Sequence, residues 1–422
     1  MANIFIKPRV LYFVVVVLLC GGHAHGKGRA ATVYGVTEYG AAPSNRDNRD
    51  AFLAAWRAAC HSTAGNPTLH FPKGTFAVGA VAFEGPCRNG GGAPVVVIDG
   101  VLRPCAGGRG CRLSDDAWIT FSGLNNLLVT GDGTLDGHGA GSDDRIKSKS
   151  KTTTLVLDGV TNSTLRGLAF VNSRGFHVNI RRCSRVVAEG LGIHALERSR
   201  NTDGVHVGLS SHIRVLDSVI GTGDDCVSVG PGSVDVIVNG VICGPGHGLS
   251  VGSLGKEEGE QDVQGLIIKN CTVKGTTNGV RIKTWPGSPP SRASNITFQD
   301  ITMDDVANPI IIDQRYCPHD HCADANKPSQ VQISDVTFER IEGTSSSRVA
   351  VQLLCSEERP CTGVRLDGIN LSCGDQPCRS VFSNVRETPG SGSGSGSVVA
   401  PAPSPASAPA ARPPVEEFAV AR

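Results

Sequence analysis

A repeated unit dominates the middle of this sequence and constrains its fold more than any other feature. Six segments share an apolar-x-apolar pattern and begin, at steps of 27, 23, 30, 30 and 40 residues, at Val186, Ile213, Val236, Leu266, Ile296 and Val336. The units hold short alternating stretches of β-branched residues separated by Gly, Asn or Asp, without a helical period. Such repeats are typical of solenoids, in which each unit buries its inner face against the next. We therefore predict an all-β fold, a single-stranded right-handed parallel β-helix.

The length of the chain and the character of its ends fit this prediction. The 422 residues exceed the roughly 250–300 that one compact core usually holds, but a solenoid grows along one axis. We predict a capping helix over the first coil, from Asn48 to Cys60, because one of its faces is apolar: Phe52, Leu53, Trp56 and Cys60. Residues 25–386 would form the β-helix domain. Residues 387–422 are rich in Gly/Ser and then Pro/Ala, so we expect a disordered tail, with or without O-linked glycans.

The first 24 residues resemble a secretory signal peptide. Lys7 and Arg9 precede an apolar run, Val10 to Cys20, that is shorter than the roughly 20 residues of a membrane span. Gly22 and Ala24 supply the small residues of a cleavage site. A membrane anchor is the alternative. We expect a secreted protein that does not span a membrane.

Secretion would expose the cysteines to an oxidising compartment. Removal of Cys20 with the signal peptide leaves 14 of the 15 cysteines, an even number, so we expect disulfides. Their spacing suggests four pairs: Cys317/Cys322, Cys355/Cys361, Cys373/Cys378 and Cys226/Cys243. Sequons that suit a secreted glycoprotein occur at Asn162, Asn270, Asn295 and Asn370. The 40 basic and 39 acidic residues nearly cancel, which argues against nucleic acid or an anionic membrane as the partner.

A second ladder of short segments brings charged side chains together. Stacked in register, the segments begin at Gly175, Gly204, Cys226, Gly248, Gly279 and Pro309. Neighbouring parallel strands are about 4.8 Å apart, so their polar residues would share one wall of the solenoid. These residues are Asp203, Asp224 and Asp225, the imidazoles of His177, His206 and His247, and the cations of Arg281 and Lys283.

This gathering has the chemistry of a glycosidase site. Like charges at such range raise the pKa of at least one carboxyl, and glycoside hydrolysis uses one protonated and one ionised carboxyl. Arg281 and Lys283 could hold an anionic sugar through its carboxylate. Each segment alone would more often be a solvated turn, a cap or an exposed strand, but together they favour a site. Calcium binding by the acids is an alternative that the nearby cations oppose, so we predict no metal or organic cofactor.

Four of these segments resemble the signature motifs of polygalacturonases, glycoside hydrolase family 28, in the same order and spacing. They are Asn201-Thr202-Asp203, Gly223-Asp224-Asp225, Gly246-His247-Gly248 and Arg281-Ile282-Lys283. Tyr316 resembles the family's substrate-contacting tyrosine. The resemblance covers about residues 32 to 380 and is greatest to the plant pollen exopolygalacturonases.

The resemblance implies a role for each residue. Asp224 would be the general acid, Asp203 and Asp225 would activate water, and His247 would support their protonation. Galacturonate would be bound by Arg281, Lys283 and Tyr316, with His177 as a further contact. The implied function is hydrolysis of α-1,4-linked polygalacturonate (pectin) in the plant cell wall, with inversion and exo action, by a secreted monomer.

Other interpretations remain open at this point. They are an endo-acting enzyme, a rhamnogalacturonan or xylogalacturonan hydrolase, a calcium-dependent lyase and a non-catalytic pectin-binding β-helix. Adjacent-coil spacing is also nearer the carboxyl separation of retaining enzymes, about 5–5.5 Å, than that of inverting ones, about 6.5–9.5 Å. The segment from Ala140 to Lys151 departs from the family pattern, and its lysines either grip pectate or are solvated.

Overall fold

The fold is described from a computed structural model over residues 32–63, 65–88, 92–105, 111, 116–139, 151–318, 322 and 324–386. The predicted signal peptide, the tail from 387 to 422 and the basic segment from 140 to 150 lie outside the described residues. Within those residues, no helix is long and apolar enough to cross a membrane.

Short strands make up almost all of the regular structure in the described ranges. One α-helix, α1, covers Arg49–Cys60, and a 3-10 turn covers Val36–Tyr39. The strands of the first half are β1 Val33–Gly35, β2 Thr68–Phe71, β3 Thr75–Val78, β4 Val81–Glu84, β5 Val95–Ile98, β6 Val101–Pro104, β7 Ala117–Ser122, β8 Leu128–Thr130, β9 Thr134–Asp136, β10 Thr153–Asp158, β11 Thr161–Arg166, β12 Ala169–Val171, β13 Val178–Arg181, β14 Ser184–Glu189, β15 Gly192–His194 and β16 Val205–Gly208. Those of the second half are β17 Ser211–Leu216, β18 Val219–Gly221, β19 Val227–Val229, β20 Val234–Asn239, β21 Ile242–Cys243, β22 Leu249–Leu254, β23 Val263–Lys274, β24 Asn278–Thr284, β25 Ser291–Val306, β26 Asn308–Asp313, β27 Val331–Ser345, β28 Val349–Leu354, β29 Cys361–Thr362, β30 Arg365–Ser372, β31 Arg379–Ser383 and β32 Val385–Arg386.

These strands stack into two parallel sheets that run along the coil axis. The eleven-stranded sheet has the order β4-β7-β10-β13-β16-β19-β22-β24-β26-β28-β31, one strand from each successive coil. The other sheet has 21 strands, and its long members β23, β25 and β27 replace pairs of shorter strands in earlier coils. The prediction of an all-β parallel β-helix is confirmed.

The predicted repeat register is confirmed in the larger sheet. Val186 pairs with Ile213, and the pairing continues through the other four repeat positions to Val336. All six side chains are buried inside the coil. The core therefore contains a column of aliphatic side chains. A neighbouring column includes the stacked rings of Phe298 and Phe338, whose centroids are 5.2 Å apart.

Bends within and between the strands of the larger sheet use left-handed backbone. Two columns of residues take φ between 44° and 74°, the first at 162, 185, 212, 235, 265, 295 and 335, and the second at 167, 190, 217, 240, 270, 300, 340 and 368. Gly, Asn and Asp occupy most of these positions because they tolerate positive φ best. This is the physical reason for the Gly, Asn and Asp that separate the strands in the sequence.

The helix caps the first coil as predicted. Its buried side chains Phe52 and Trp56 reach into the coil, where the Phe52 ring meets Phe71 edge-on at 4.8 Å and Trp56 lies 5.2 Å from Phe83. An aromatic plug therefore covers apolar side chains that would otherwise face water.

Disulfides close several local loops. The four predicted pairs, Cys226–Cys243, Cys317–Cys322, Cys355–Cys361 and Cys373–Cys378, are all present. Two further pairs were not predicted: Cys60–Cys87, which joins the end of α1 to the segment after β4, and Cys105–Cys111. Cys183 and Cys271 are buried free thiols.

Candidate active site

The predicted site residues meet on the outer face of the eleven-stranded sheet. His206 pairs with Ser228, Ser228 with Ser250, and Ser250 with Arg281 along successive strands β16, β19, β22 and β24. Asp203 precedes β16, Asp224 and Asp225 precede β19, and His247 precedes β22, so the acids converge from neighbouring coils.

Asp225 is a buried carboxylate with two cations. Its Oδ2 lies 2.7 Å from Lys283 Nζ, and its Oδ1 lies 2.8 Å from Arg281 Nη2. Ser250 Oγ donates a hydrogen bond to the same Oδ1 at 2.7 Å. Burial alone would raise the pKa of Asp225, but Lys283 and then Arg281 outweigh it and lower the pKa to about 2. This carboxyl is therefore ionised at any pH at which the protein would work.

Asp203 has the opposite electrostatic balance. It is buried, and Ser228 Oγ donates a hydrogen bond to its Oδ2 at 2.5 Å. Burial first, and then the charges of Asp224 and Asp225, raise the pKa of Asp203 well above its ordinary value, against the opposing effect of Lys283. The pKa of one carboxyl is therefore raised as expected, but burial contributes more to the shift than the neighbouring charges do.

Asp224 is the most open of the three acids. Its side chain is 17% exposed, against 1% for Asp225. Its Oδ1 lies 3.1 Å from His247 Nδ1 and accepts the Asp225 backbone N–H at 2.9 Å, while Oδ2 accepts the Asn201 backbone N–H at 3.2 Å. His247 is 41% exposed, so the Asp224–His247 pair is the part of the cluster that is open to solvent.

A cation could be considered where Asp224, Asp225 and His247 bring potential ligand atoms within 4.8 Å of one another. However, both oxygens of Asp225 already accept hydrogen bonds, from Lys283 on one side and from Arg281 and Ser250 on the other. Two permanent cations beside the acids make this donor set a poor fit for a further metal ion.

Tyr316 forms an aromatic wall beside the cations. Lys283 Nζ lies 5.2 Å from its ring centroid, and the Arg281 guanidinium carbon lies 5.8 Å from it. Trp285 packs edge-on against Tyr316 at 5.6 Å, and Lys256 Nζ lies 5.9 Å from the Trp285 ring. Trp285 and Lys256 were not singled out from the sequence, because neither belongs to the ladder pattern.

The predicted register for His177 is wrong by two residues. The partner of His206 on β13 is Asn179, whereas His177 lies beside the Asp203 backbone. A shift of two residues keeps the alternation of inward and outward side chains, so the apolar pattern cannot reveal it. The His177 side chain is fully buried; its Nδ1 lies 3.1 Å from the Asp203 carbonyl oxygen, and its Nε2 accepts the Ser173 N–H at 3.3 Å. Burial lowers the pKa of His177 to about 4, so its ring is neutral.

Sequence comparison relates this chain to known proteins. A family model described as "Glycosyl hydrolases family 28" matches residues 60–391. An exopolygalacturonase of Platanus acerifolia is 40% identical over 367 residues, which covers 85% of this chain and 96% of that protein. An exopolygalacturonase of Oenothera organensis is 42% identical over 81% of this chain and 95% of that protein.

Solved structures share the fold at lower identity. The endo-xylogalacturonan hydrolase of Aspergillus tubingensis superposes with a TM-score of 0.72 at 24% identity, over 84% of this chain and 96% of that one. The exopolygalacturonase of Thermotoga maritima superposes with a TM-score of 0.69 at 16% identity, over 85% and 92% of the two chains.

Proposed function

The chain belongs to glycosyl hydrolase family 28, and from this premise we propose that it is an exo-acting polygalacturonase that releases galacturonate from the end of polygalacturonate. The carrying observation is that Asp224, the most open of the acids, lies beside Asp225, a carboxyl that two cations keep ionised. An accessible carboxyl and an ionised carboxyl side by side can supply the acid and the base of one reaction.

In the proposed reaction, Asp224 donates a proton to the leaving glycosidic oxygen while a water attacks the anomeric carbon. The carbon–oxygen bond to the leaving sugar breaks, the bond to water forms on the opposite face, and the water's proton passes to the Asp203/Asp225 pair. Asp224 is the proposed acid because it is the acid most open to the cleft. Asp224 must carry this proton when substrate binds, and the proton taken from water restores it to Asp224 before the next turnover.

Inversion follows from the family. The carboxyl oxygens of Asp224 and Asp225 come within 4.8 Å, which is nearer the spacing of retaining glycosidases. That spacing rule describes two carboxyls with a water between them. A third carboxyl, Asp203, takes part here, so the Asp224–Asp225 separation alone does not fix the stereochemistry.

We propose that Arg281, Lys283 and Tyr316 bind galacturonate, the two cations through its carboxylate. Both cations face Asp225, and two cations beside one carboxylate can hold a second anion such as the sugar carboxylate. Tyr316 would contact the apolar face of the sugar. His177 is not proposed as a substrate contact, because its side chain is fully buried; its bond to the Asp203 carbonyl suits positioning of that residue instead.

We also propose that the enzyme is secreted and acts on the plant cell wall as a monomer. Residues 1–24 would be removed as the signal peptide, 25–386 would be the catalytic domain and 387–422 a tail. The sequon residues Asn162, Asn270, Asn295 and Asn370 are all exposed, as glycosylation requires.

A time course of products from polygalacturonate tests the proposal, with Asp224→Asn as the control variant. We expect galacturonate monomer from the earliest times with slow loss of viscosity, and a fall of about a thousandfold or more in turnover for a folded Asp224→Asn protein. Mixed oligomers with rapid loss of viscosity would make the enzyme endo-acting. Binding without products from wild type would favour a pectin-binding protein, and unsaturated, chelator-sensitive products would indicate a lyase.

A further inference from the structure

The active site contains two similar sets of hydrogen bonds, centred on Ser228 and Ser250 of adjacent coils. In one copy, Ser250 donates to Asp225 at 2.7 Å and Arg281 Nε donates to Ser250 at 3.1 Å. In the other copy, Ser228 donates to Asp203 at 2.5 Å, and His206 Nδ1 lies 2.8 Å from Ser228 Oγ. Each set of hydrogen bonds thus connects an acid, through a serine, to a basic residue.

The two copies differ in the third residue. Arg281 is a permanent cation that also reaches the Asp225 carboxylate directly. His206 contacts Asp203 only through Ser228. The basic residues lie on opposite sides of the two serines, since Arg281 is one strand after Ser250 in the ladder and His206 is one strand before Ser228.

We propose that His206 is a positioning residue for hydrolysis: through Ser228 it holds the Asp203 carboxyl in one orientation, and it does so without bringing a positive charge to that side of the site. This inference rests on the proposed function, in which Asp203 takes part in water activation. The sequence ladder contains His206 and Ser228, but the family motifs give neither of them a role.

The chain of hydrogen bonds suits both ionisation states of Asp203. When Asp203 is ionised, Ser228 donates to it and His206 Nδ1–H donates to Ser228. When Asp203 is protonated, it can donate to Ser228, which then donates to a bare His206 Nδ1. A neutral imidazole can meet either arrangement by changing its tautomer, whereas the Arg281 guanidinium can only donate.

The surroundings of His206 keep its ring neutral and in place. The ring stacks on Phe176, with centroids 4.7 Å apart and planes 25° apart. A Cβ at position 230 would lie 3.1 Å from His206 Cε1, so Gly230 leaves room for the ring. The charged groups that act on it are Asp225 and Lys283, with Asp203 beyond Ser228, while its partner on β13, Asn179, is uncharged. Burial lowers the pKa of His206 to about 4.

Kinetics of four single variants and one double variant test the proposal. We expect His206→Ala to lower kcat about tenfold with KM within about twofold, the upper end of the range for loss of a hydrogen bond between neutral groups. His206→Asn, which retains a neutral amide near Nδ1, should recover activity to within about threefold of wild type. His212→Asn is the matched control, because His212 is 55% exposed and pairs with Asp235 on the other sheet. Ser228→Ala should remove most of the effect of a second His206→Ala change.

Several results would overturn the proposal. A rise in KM at unchanged kcat would make His206 a substrate contact, and full activity of His206→Ala would leave it no role. Additive effects of Ser228→Ala and His206→Ala would break the proposed link between them.

A measurement without turnover separates this inference from the proposed function. The Ser228 hydrogen bond lowers the pKa of Asp203. The apparent pKa of the ¹³C-labelled Asp203 carboxyl, followed by NMR, should therefore rise in Ser228→Ala and stay unchanged in His212→Asn. An unchanged Asp203 pKa in Ser228→Ala would refute the positioning chain even if wild type released galacturonate. If wild type released none, the same spectra would still show whether Ser228 holds the Asp203 carboxyl, which the positioning role of His206 requires.

Discussion

Replacement of Lys283 by methionine should reveal how strongly the site depends on the Asp225 ion pair. Methionine is similar in length but uncharged, and the Lys283 side chain is only 7% exposed, so solvent screens the pair little. Removing one partner of a buried pair leaves the other charge uncompensated, which makes the free energy of unfolding fall.

The magnitude follows from the pKa of Asp225, about 2 against an ordinary value of 3.8. At about 1.36 kcal/mol per pKa unit, the paired state of this carboxyl contributes about 2.5 kcal/mol. Because the folded-state pKa is lowered, this contribution is present above about pH 4 and is lost as the pH falls through about 2. Arg281 and Ser250 still contact Asp225 in Lys283→Met, so we expect a loss of about 1 to 2.5 kcal/mol at pH 6.

Urea unfolding at pH 6 and at pH 2.5 measures this effect. The stability difference between wild type and Lys283→Met should shrink at the lower pH, where Asp225 begins to bind a proton in both proteins. Lys327→Met is the matched control, since Lys327 pairs with Asp324 at the surface with its side chain 70% exposed, and little change is expected there. Equal stability of wild type and Lys283→Met at pH 6, or a difference that does not change with pH, would refute the reasoning.

Two further substitutions probe the same coils. Asp203→Asn should inactivate the enzyme yet stabilise it: a raised folded-state pKa means that wild type loses stability as the pH rises above about 4, and asparagine cannot ionise. Its melting temperature should exceed that of wild type by more at pH 7 than at pH 4, and a pH-independent difference would contradict this. Replacing Cys226 and Cys243 together by alanine opens a disulfide with a sequence separation of 17 and should lower the free energy of unfolding by roughly 3 kcal/mol. An unchanged urea midpoint would count against that loop-closure argument.

Much of the fold could be predicted because the same sequence pattern occurs in every coil. The register from Val186 to Val336 is confirmed, since every coil repeats the same apolar-x-apolar pattern. The predicted register of His177 was wrong because the segments from Gly175 and from Gly204 have similar sequences. Shifting one against the other by two residues leaves every side chain on its own face of the sheet, so the pattern does not exclude the shift. The pairs Cys60–Cys87 and Cys105–Cys111 lie outside the repeats, where the pattern gives no distances.

The candidate site was predictable in its members but not in their partnerships. The ladder brings Asp225, Arg281 and Lys283 together, and the structure agrees. The ladder does not predict that Lys283 and Arg281 both bind Asp225, which lies 58 and 56 residues earlier in the chain. These contacts depend on the conformations of two long side chains that reach across two neighbouring strands. The roles of Ser228 and Ser250 were also missed, because a lone serine in a strand carries no distinctive sequence signal.

The unequal length of the coils has a consequence for how such an enzyme can diversify. Along the eleven-stranded sheet, Val227, Leu249, Val280, Ile310 and Val351 are consecutive partners, although the steps between them are 22, 31, 30 and 41 residues. Extra residues enter the loops between rungs and leave the rung spacing unchanged. Insertions and deletions can therefore remodel the walls of the cleft while the acids keep their mutual geometry. Specificity for a new polysaccharide can therefore evolve through changes in the loops alone. Loops exchanged between relatives should leave the catalytic acids in a working arrangement.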